Sequence, residues 1–236
     1  MKKSTISAAI TKDHRELEQY YNEVVNSPSD HDRQQRFGNQ FTWELARHSV
    51  AEELIVYPAF ERHMGQEGHE LAEHDRKEHH HVSDLISLGP PPRDRQIPNR
   101  PKKQQVKELL KEFQNMKPSS SSEEYILKLK ELWAVLSQHI KEEEERDLPA
   151  LESALSKSDA RSASTVMSSS SESESEKMAR QFGRTKAFVP SRSHPSAGEN
   201  PYFESALGLL VAPIDHVADI FRKFPDETAS PNPSTK

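Results

Sequence analysis

An all-α fold, an up-down antiparallel four-helix bundle, is what this sequence predicts, on three observations. Glycine is scarce, with 7 in 236 residues. Apolar residues recur at the three- and four-residue intervals of an amphipathic helix. Two stretches are near copies of each other: HSVAEELIVYPAFE from His48 and HIKEEEERDLPALE from His139. Each reads His-x-x-x-Glu-Glu, then a proline ten residues after the histidine, then Ala, a large apolar residue and Glu. Histidine and glutamate four apart share one helix face, so each copy can turn an imidazole and a carboxylate toward one cation. Two copies imply two matching half-sites that face each other.

The first helix is expected from about Thr5 to Asn26, with Ile10, His14, Leu17, Tyr21 and Val24 on one stripe and Pro28 ending it. Asp30 is a plausible N-cap for a second helix of about 33 residues, which turns Phe41, Leu45, His48, Glu52, Ile55 and Ala59 inward. Pro58 should kink it, because its ring removes the hydrogen bond to the carbonyl of Leu54. A third helix begins near Glu67 and carries Leu71, His74, Asp75, Glu78 and Val82. The fourth runs from about Ser122 to Ala154 through Leu129, Leu132, Leu136, His139 and Glu143. Short or moderate connections between four such helices favour antiparallel neighbours.

Two regions depart from that plan. Residues 88–104 are rich in proline and basic side chains and cannot be helix interior. A stretch near 81–104 opens with Val-Ser and closes with Gln, as translated splice signals would, and the flanking segments join smoothly without it. It reads either as a retained intron, which transcript sequencing would settle, or as a surface insertion interrupting helix three. Residues 157–180, centred on SSSSESESE, lack the apolar area that offsets ordering entropy and are expected to form a disordered Ser/Glu-rich linker. The C-terminal extension, 181–236, regains aromatics and should form short helices about 201–224. The bundle is thus expected to occupy residues 1–156, and a chain truncated after Gln181 to keep its metal.

Composition excludes several function classes. The net charge of −6 is spread along the chain and leaves no basic footprint for nucleic acid. Absent cysteine rules out disulfides, iron–sulfur clusters and thiol chemistry. No apolar run is long enough to span a membrane, and MKKSTISAAITKDH turns polar too soon for a signal peptide. A cytoplasmic or nucleocytoplasmic protein is therefore expected. Neither a phosphate-cradling glycine loop nor a nucleophile elbow occurs.

His14, His48 and His139 lie on inward stripes with Leu, Ile or Phe, and two of them bring an inward glutamate. Burying Glu52 and Glu143 without partners would cost several kcal/mol or force protonation. A cation in the core removes that cost. Within the run Glu142–Glu145, Glu143 should face inward and its neighbours solvent. In helix three Asp75 and Glu78 point most directly inward, while His79 and His74 flank the stripe. His79 is the expected ligand, with His74 in its place or beside it. The candidate metal set is His14, His48, Glu52, His79, His139 and Glu143, with His74 as a further candidate. Six N and O donors suit two octahedral metals, favouring iron or manganese over copper(I), with zinc a lesser option.

The order His, His-x-x-x-Glu, His, His-x-x-x-Glu, with the Tyr-Pro and Leu-Pro prolines, resembles the hemerythrin-like HHE cation-binding family over roughly Ile6 to Leu155. The DHDRKEH-like third helix (here EHDRKEH, from Glu73) and the FVPSRSHP tail resemble its fungal members. The resemblance implies a four-helix bundle holding a non-haem di-iron centre bridged by carboxylates. Oxygen carriers of that family use one more histidine, for which His74 is the candidate. The expected function is to bind two iron ions and a small ligand such as O₂, NO or peroxide, for sensing, buffering or protection. Any protein partner would engage the C-terminal tail. One alternative is a di-iron oxidase or peroxidase, although ferritin-like oxidases carry Glu-x-x-His pairs and more carboxylates. Another is a metal-free helical interaction protein.

Overall fold

The computed structural model describes residues 4–80, 109–165, 172–189, 219 and 222–228, with side chains described up to 72 and 162 in the first two stretches. Among the described residues the regular structure is helical, with no strand, and no helix is long and apolar enough to cross a membrane. Helix α1 spans Ile6–Val25, its N-terminus closed by the Thr5 side chain accepting from the Ala8 N–H. Asp30 caps α2, His31–Ala51, by accepting from Arg33 N–H at 2.9 Å. Helix α3 is Tyr57–His80 and α4 is Ser122–Glu142, the latter capped by Ser121. Helix α5 is Leu148–Thr165, and α6 is Glu174–Thr185, which opens with a reciprocal capping box between Ser173 and Glu176.

The expected helix of about 33 residues after Asp30 is interrupted in a specific way. A π-helical turn, Glu52–Val56, separates α2 from α3, and the N–H of Tyr57 donates to the carbonyl of Glu52, five residues back. The second copy does the same: a π turn spans Glu143–Asp147, with the N–H of Leu148 donating to Glu143. In each case the donor precedes the repeat's proline, so the missing proline N–H falls just after a widened turn. The extra residue lets side chains on both sides face inward. Glu52, Val56 and Tyr57 are buried in one turn, and Glu143, Asp147 and Leu148 in the other. The repeated sequence is thus a repeated backbone irregularity. Further on, α3 is broken at Gly65, whose φ of 62° and ψ of −130° L side chains rarely adopt, so a new helical stretch begins where helix three was expected.

Helix α1 packs along α2 and touches α4, while α3 packs on α5. The apolar core falls into two clusters. One gathers Leu17, Tyr20, Phe41, Leu45, Tyr125, Leu129, Leu132 and Ile140. The other gathers Ile6, Ile10, Ala51, Phe60, Leu148, Leu151 and Leu155, joined by Met178 and Phe182 of α6. Close contacts lock the first cluster. A Cβ on Gly38 would stand 1.8 Å from the Tyr125 hydroxyl oxygen.

The expected disordered linker is corrected within its described residues. Residues 157–165 continue α5, and Glu174–Thr185 form α6, docked on α1, α5 and the first π turn. The order comes from Met178 and Phe182, two apolar residues one turn apart that bury against the bundle. Beyond it, Phe224 is buried against Trp43 with ring centroids 6.4 Å apart. The carbonyls of Lys223 and Phe224 accept from Asn39 and Arg36 of α2 at 2.8 Å. The stretch near 81–104, residues 166–171 and the tail helices expected before 219 lie outside the described residues.

Candidate metal centre

Between the two apolar clusters lies a polar layer. On α1, His14 sits between Ile10 and Leu17; on α2, His48 sits between Leu45 and Ala51. The two glutamates open the two π turns. His14, His48, Glu52 and Glu143 are only 1–3% exposed. Each offers a ligand atom, and these atoms all lie within 4.8 Å of one another. The two imidazole rings approach edge-on with centroids 5.1 Å apart.

Each histidine is used the same way. His48 meets Asp13 Oδ2 through Nδ1 at 3.2 Å and Glu52 Oε1 through Nε2 at 3.1 Å. His14 meets Glu144 Oε1 through Nδ1 at 2.8 Å and Glu143 Oε2 through Nε2 at 3.4 Å. Both rings therefore present Nδ1 to an outer carboxylate and Nε2 to an inner one. Outer carboxylates of this kind fix the tautomer and orientation of metal-binding histidines. Burial opposes a charge on His48, yet the charge of Glu52 and the hydrogen bond to Asp13 outweigh it and raise its pKa to about 10. Burial likewise opposes a charge on His14, but Glu143 and Glu144 raise it. Asp13 is held at about 2, since His48 and Lys186 together overcome the burial that would raise it.

The raised pKa of each imidazole reflects the buried carboxylates beside it, which call for positive charge in this layer. A cation can supply it if Nε2 releases its proton while Nδ1–H keeps its outer partner. The residues fit such an ion. His14 Nε2 and Glu143 Oε2 are enclosed and make no hydrogen bond among the described residues, although they face each other. An ion seated between them would engage both atoms with better geometry than their 3.4 Å ion pair provides. A donor set of nitrogen and oxygen without sulfur suits iron, manganese or zinc.

Of the residues singled out in the sequence, His14, His48, Glu52 and Glu143 come together. His139 stands beside them, Nε2 3.8 Å from Glu143 Oε2, with its side chain 14% exposed. It is not a member of the close group of four. The side chains of His74 and His79 lie outside the described residues. One expectation is corrected: Glu144 is not simply a solvated member of the acidic run, because it holds His14 Nδ1 and also pairs with Arg15 at 2.5 Å. The π turn explains this, since it re-aims the residues following Glu143 toward α1.

Sequence reasoning marked Asp13 only as the acid that adjoins His14, and it missed Glu44, Phe182 and Lys186. Glu44 was recoverable, since it lies one turn before His48 on the same face. Phe182 and Lys186 carry no local mark of their role. The Phe182 ring meets the His48 ring edge-on at 5.8 Å, and the Lys186 ammonium bonds Asp13 and Glu44. Phe182 and Lys186 are therefore part of the site's surroundings, which bears on the expectation that a chain truncated after Gln181 keeps its metal.

A helical bundle enclosing imidazole and carboxylate groups in a polar layer of its core points to a metal-binding protein. The comparison with known families agrees. The Hemerythrin HHE cation binding domain matches residues 5–151, and the chain belongs to that family. It is similar to an uncharacterised hemerythrin-like protein of Schizosaccharomyces pombe, 44% identical over 224 residues that cover 95% of this chain and 90% of that protein. No solved structure matches it significantly.

Proposed function

We propose that the chain is a non-haem iron protein that holds two iron ions in the bundle and binds a small ligand such as O₂, NO or peroxide, for sensing, buffering or protection. The observation that carries this reading is the enclosed group of His14, His48, Glu52 and Glu143, whose ligand atoms all lie within 4.8 Å of one another. His14, His48, Glu52 and Glu143 are the inner ligands in this reading, with His139 and His79, or His74, completing the set. Bound iron would supply an exchangeable position for a diatomic or peroxide ligand. The chain's own residues do the rest. Asp13 and Glu144 hold the two Nδ1–H groups, and the apolar clusters on either side exclude water from the layer. The ligand-bearing unit is the bundle through about residue 156, with the described segments 172–189 and 222–228 packed on it.

Metal analysis of the purified full chain, followed by a spectrum of the anaerobically reduced and re-oxygenated protein, tests the proposal. Iron near two ions per chain and a reversible spectral change with O₂ or NO are expected. A protein folded and free of metal after iron loading would sink it. Rapid consumption of peroxide with a reductant would instead mark the protein as an oxidase or peroxidase using the same residues.

A further inference from the structure

Lys186 lies one residue past α6 and beyond the family match, which ends at residue 151. It is nonetheless 7% exposed, and its ammonium donates to Asp13 Oδ2 at 2.5 Å and to Glu44. That same Asp13 oxygen meets His48 Nδ1. Asp13, Glu16 and Glu44 bring carboxylate oxygens within 4.8 Å of one another, all three buried. Carboxylates so close repel, and the Lys186 ammonium bridging Asp13 and Glu44 offsets that repulsion and holds Asp13 in place, while Glu16 pairs with Lys12. The backbone of Lys186 is fixed in turn, its carbonyl accepting from Arg47 Nε at 2.5 Å. The start of α6 is pinned where Ser175 Oγ accepts from the Ile6 N–H at 3.0 Å and donates to Glu152 at 2.8 Å.

We propose that Lys186 is a positioning residue for the metal centre: it holds Asp13 against His48 Nδ1, so that Nε2 is aimed at the ion, and docking of the segment 172–189 is thereby coupled to metal binding. The proposal rests on the metal reading above. It differs in assigning part of the site's affinity to a segment outside the family's domain. Coupling of this kind is reciprocal, so a bound ion must also hold the segment down.

The test uses the full chain and ferrous iron, competed anaerobically against a chromophoric chelator. Lys186→Met should weaken iron binding about 10–100-fold, the usual effect of losing the partner that orients a ligand. Lys186→Arg should recover much of the loss. Asp13→Asn should resemble Lys186→Met, and the double variant should be no weaker than Asp13→Asn alone, because both act through one contact. Iron binding by Lys186→Met as tight as wild type, or losses that multiply in the double variant, would overturn the proposal. Should Lys186→Met fail to fold, amide exchange in the wild type decides. Iron should slow exchange across Glu174–Thr185, and unchanged exchange in iron-loaded protein refutes the coupling. A wild-type chain that takes up no iron overturns the metal reading itself, whereas a loaded wild type with an equally loaded Lys186→Met overturns only this inference.

Discussion

At the scale of single residues, the centre is a problem of buried charge. Glu52 and Glu143 are almost fully enclosed, and two histidines answer them. Replacing His48 by Ala removes a contact to Glu52 and a contact to Asp13 at once. The metal-free protein should lose about 3–5 kcal/mol, the usual cost of leaving a buried partner uncompensated, read as a fall in the urea midpoint. The same variant should also hold markedly less iron by elemental analysis. His14→Ala should behave alike, since Glu143 and Glu144 both depend on it. Wild-type iron content in both variants would remove them from the site. These residues were legible in the sequence because four-residue spacing on an apolar stripe is a local property. Which carboxylate each imidazole meets was not, because that depends on how two helices pack.

At the scale of the element, the π turns set where the buried glutamates point. Pro58 announced an irregularity in the first repeat, whereas the fourth helix was expected to run through Pro149 unbroken, and propensity alone does not distinguish a kink from a widened turn. The form was decided by burial on both sides of the turn, with Glu52, Val56 and Tyr57 all inward. Two glycines test backbone preference without touching the centre. Gly65 has φ near +62° and open space around it, so Gly65→Ala should cost about 1–2 kcal/mol from backbone strain alone. Gly183 lies inside α6, also in open space, so Gly183→Ala should stabilise the helix by up to about 1 kcal/mol. Urea titration of both variants checks the opposite signs. A gain at Gly65 or a loss at Gly183 would contradict the backbone geometry of these helices.

At the scale of the whole molecule, a polar layer divides the apolar core into two clusters, and a cation would join what the layer separates. Iron that binds only the folded chain should stabilise it by about 2.7 kcal/mol at a free concentration one hundred times its dissociation constant. Stripping the ion with a chelator should therefore lower the unfolding temperature, and iron should restore it. A melting temperature indifferent to iron would argue against a site inside the bundle. The C-terminal segment belongs to the same unit, since Phe182 packs in the second cluster and against His48.

By itself the sequence determined the helical class, the repeated His/Glu couples, the inward faces of His14, His48, Glu52 and Glu143, and the kinship of the chain. All of these rest on short-range periodicity and spacing, which survive without knowledge of packing. Only the tertiary structure decided that Glu144 holds His14, that the Ser/Glu-rich segment ends in a docked helix, and that Lys186 reaches the buried acids beside His48. The reason is physical. Those contacts join residues far apart in the chain, and their existence depends on how helices stack and on which buried charge most needs a partner.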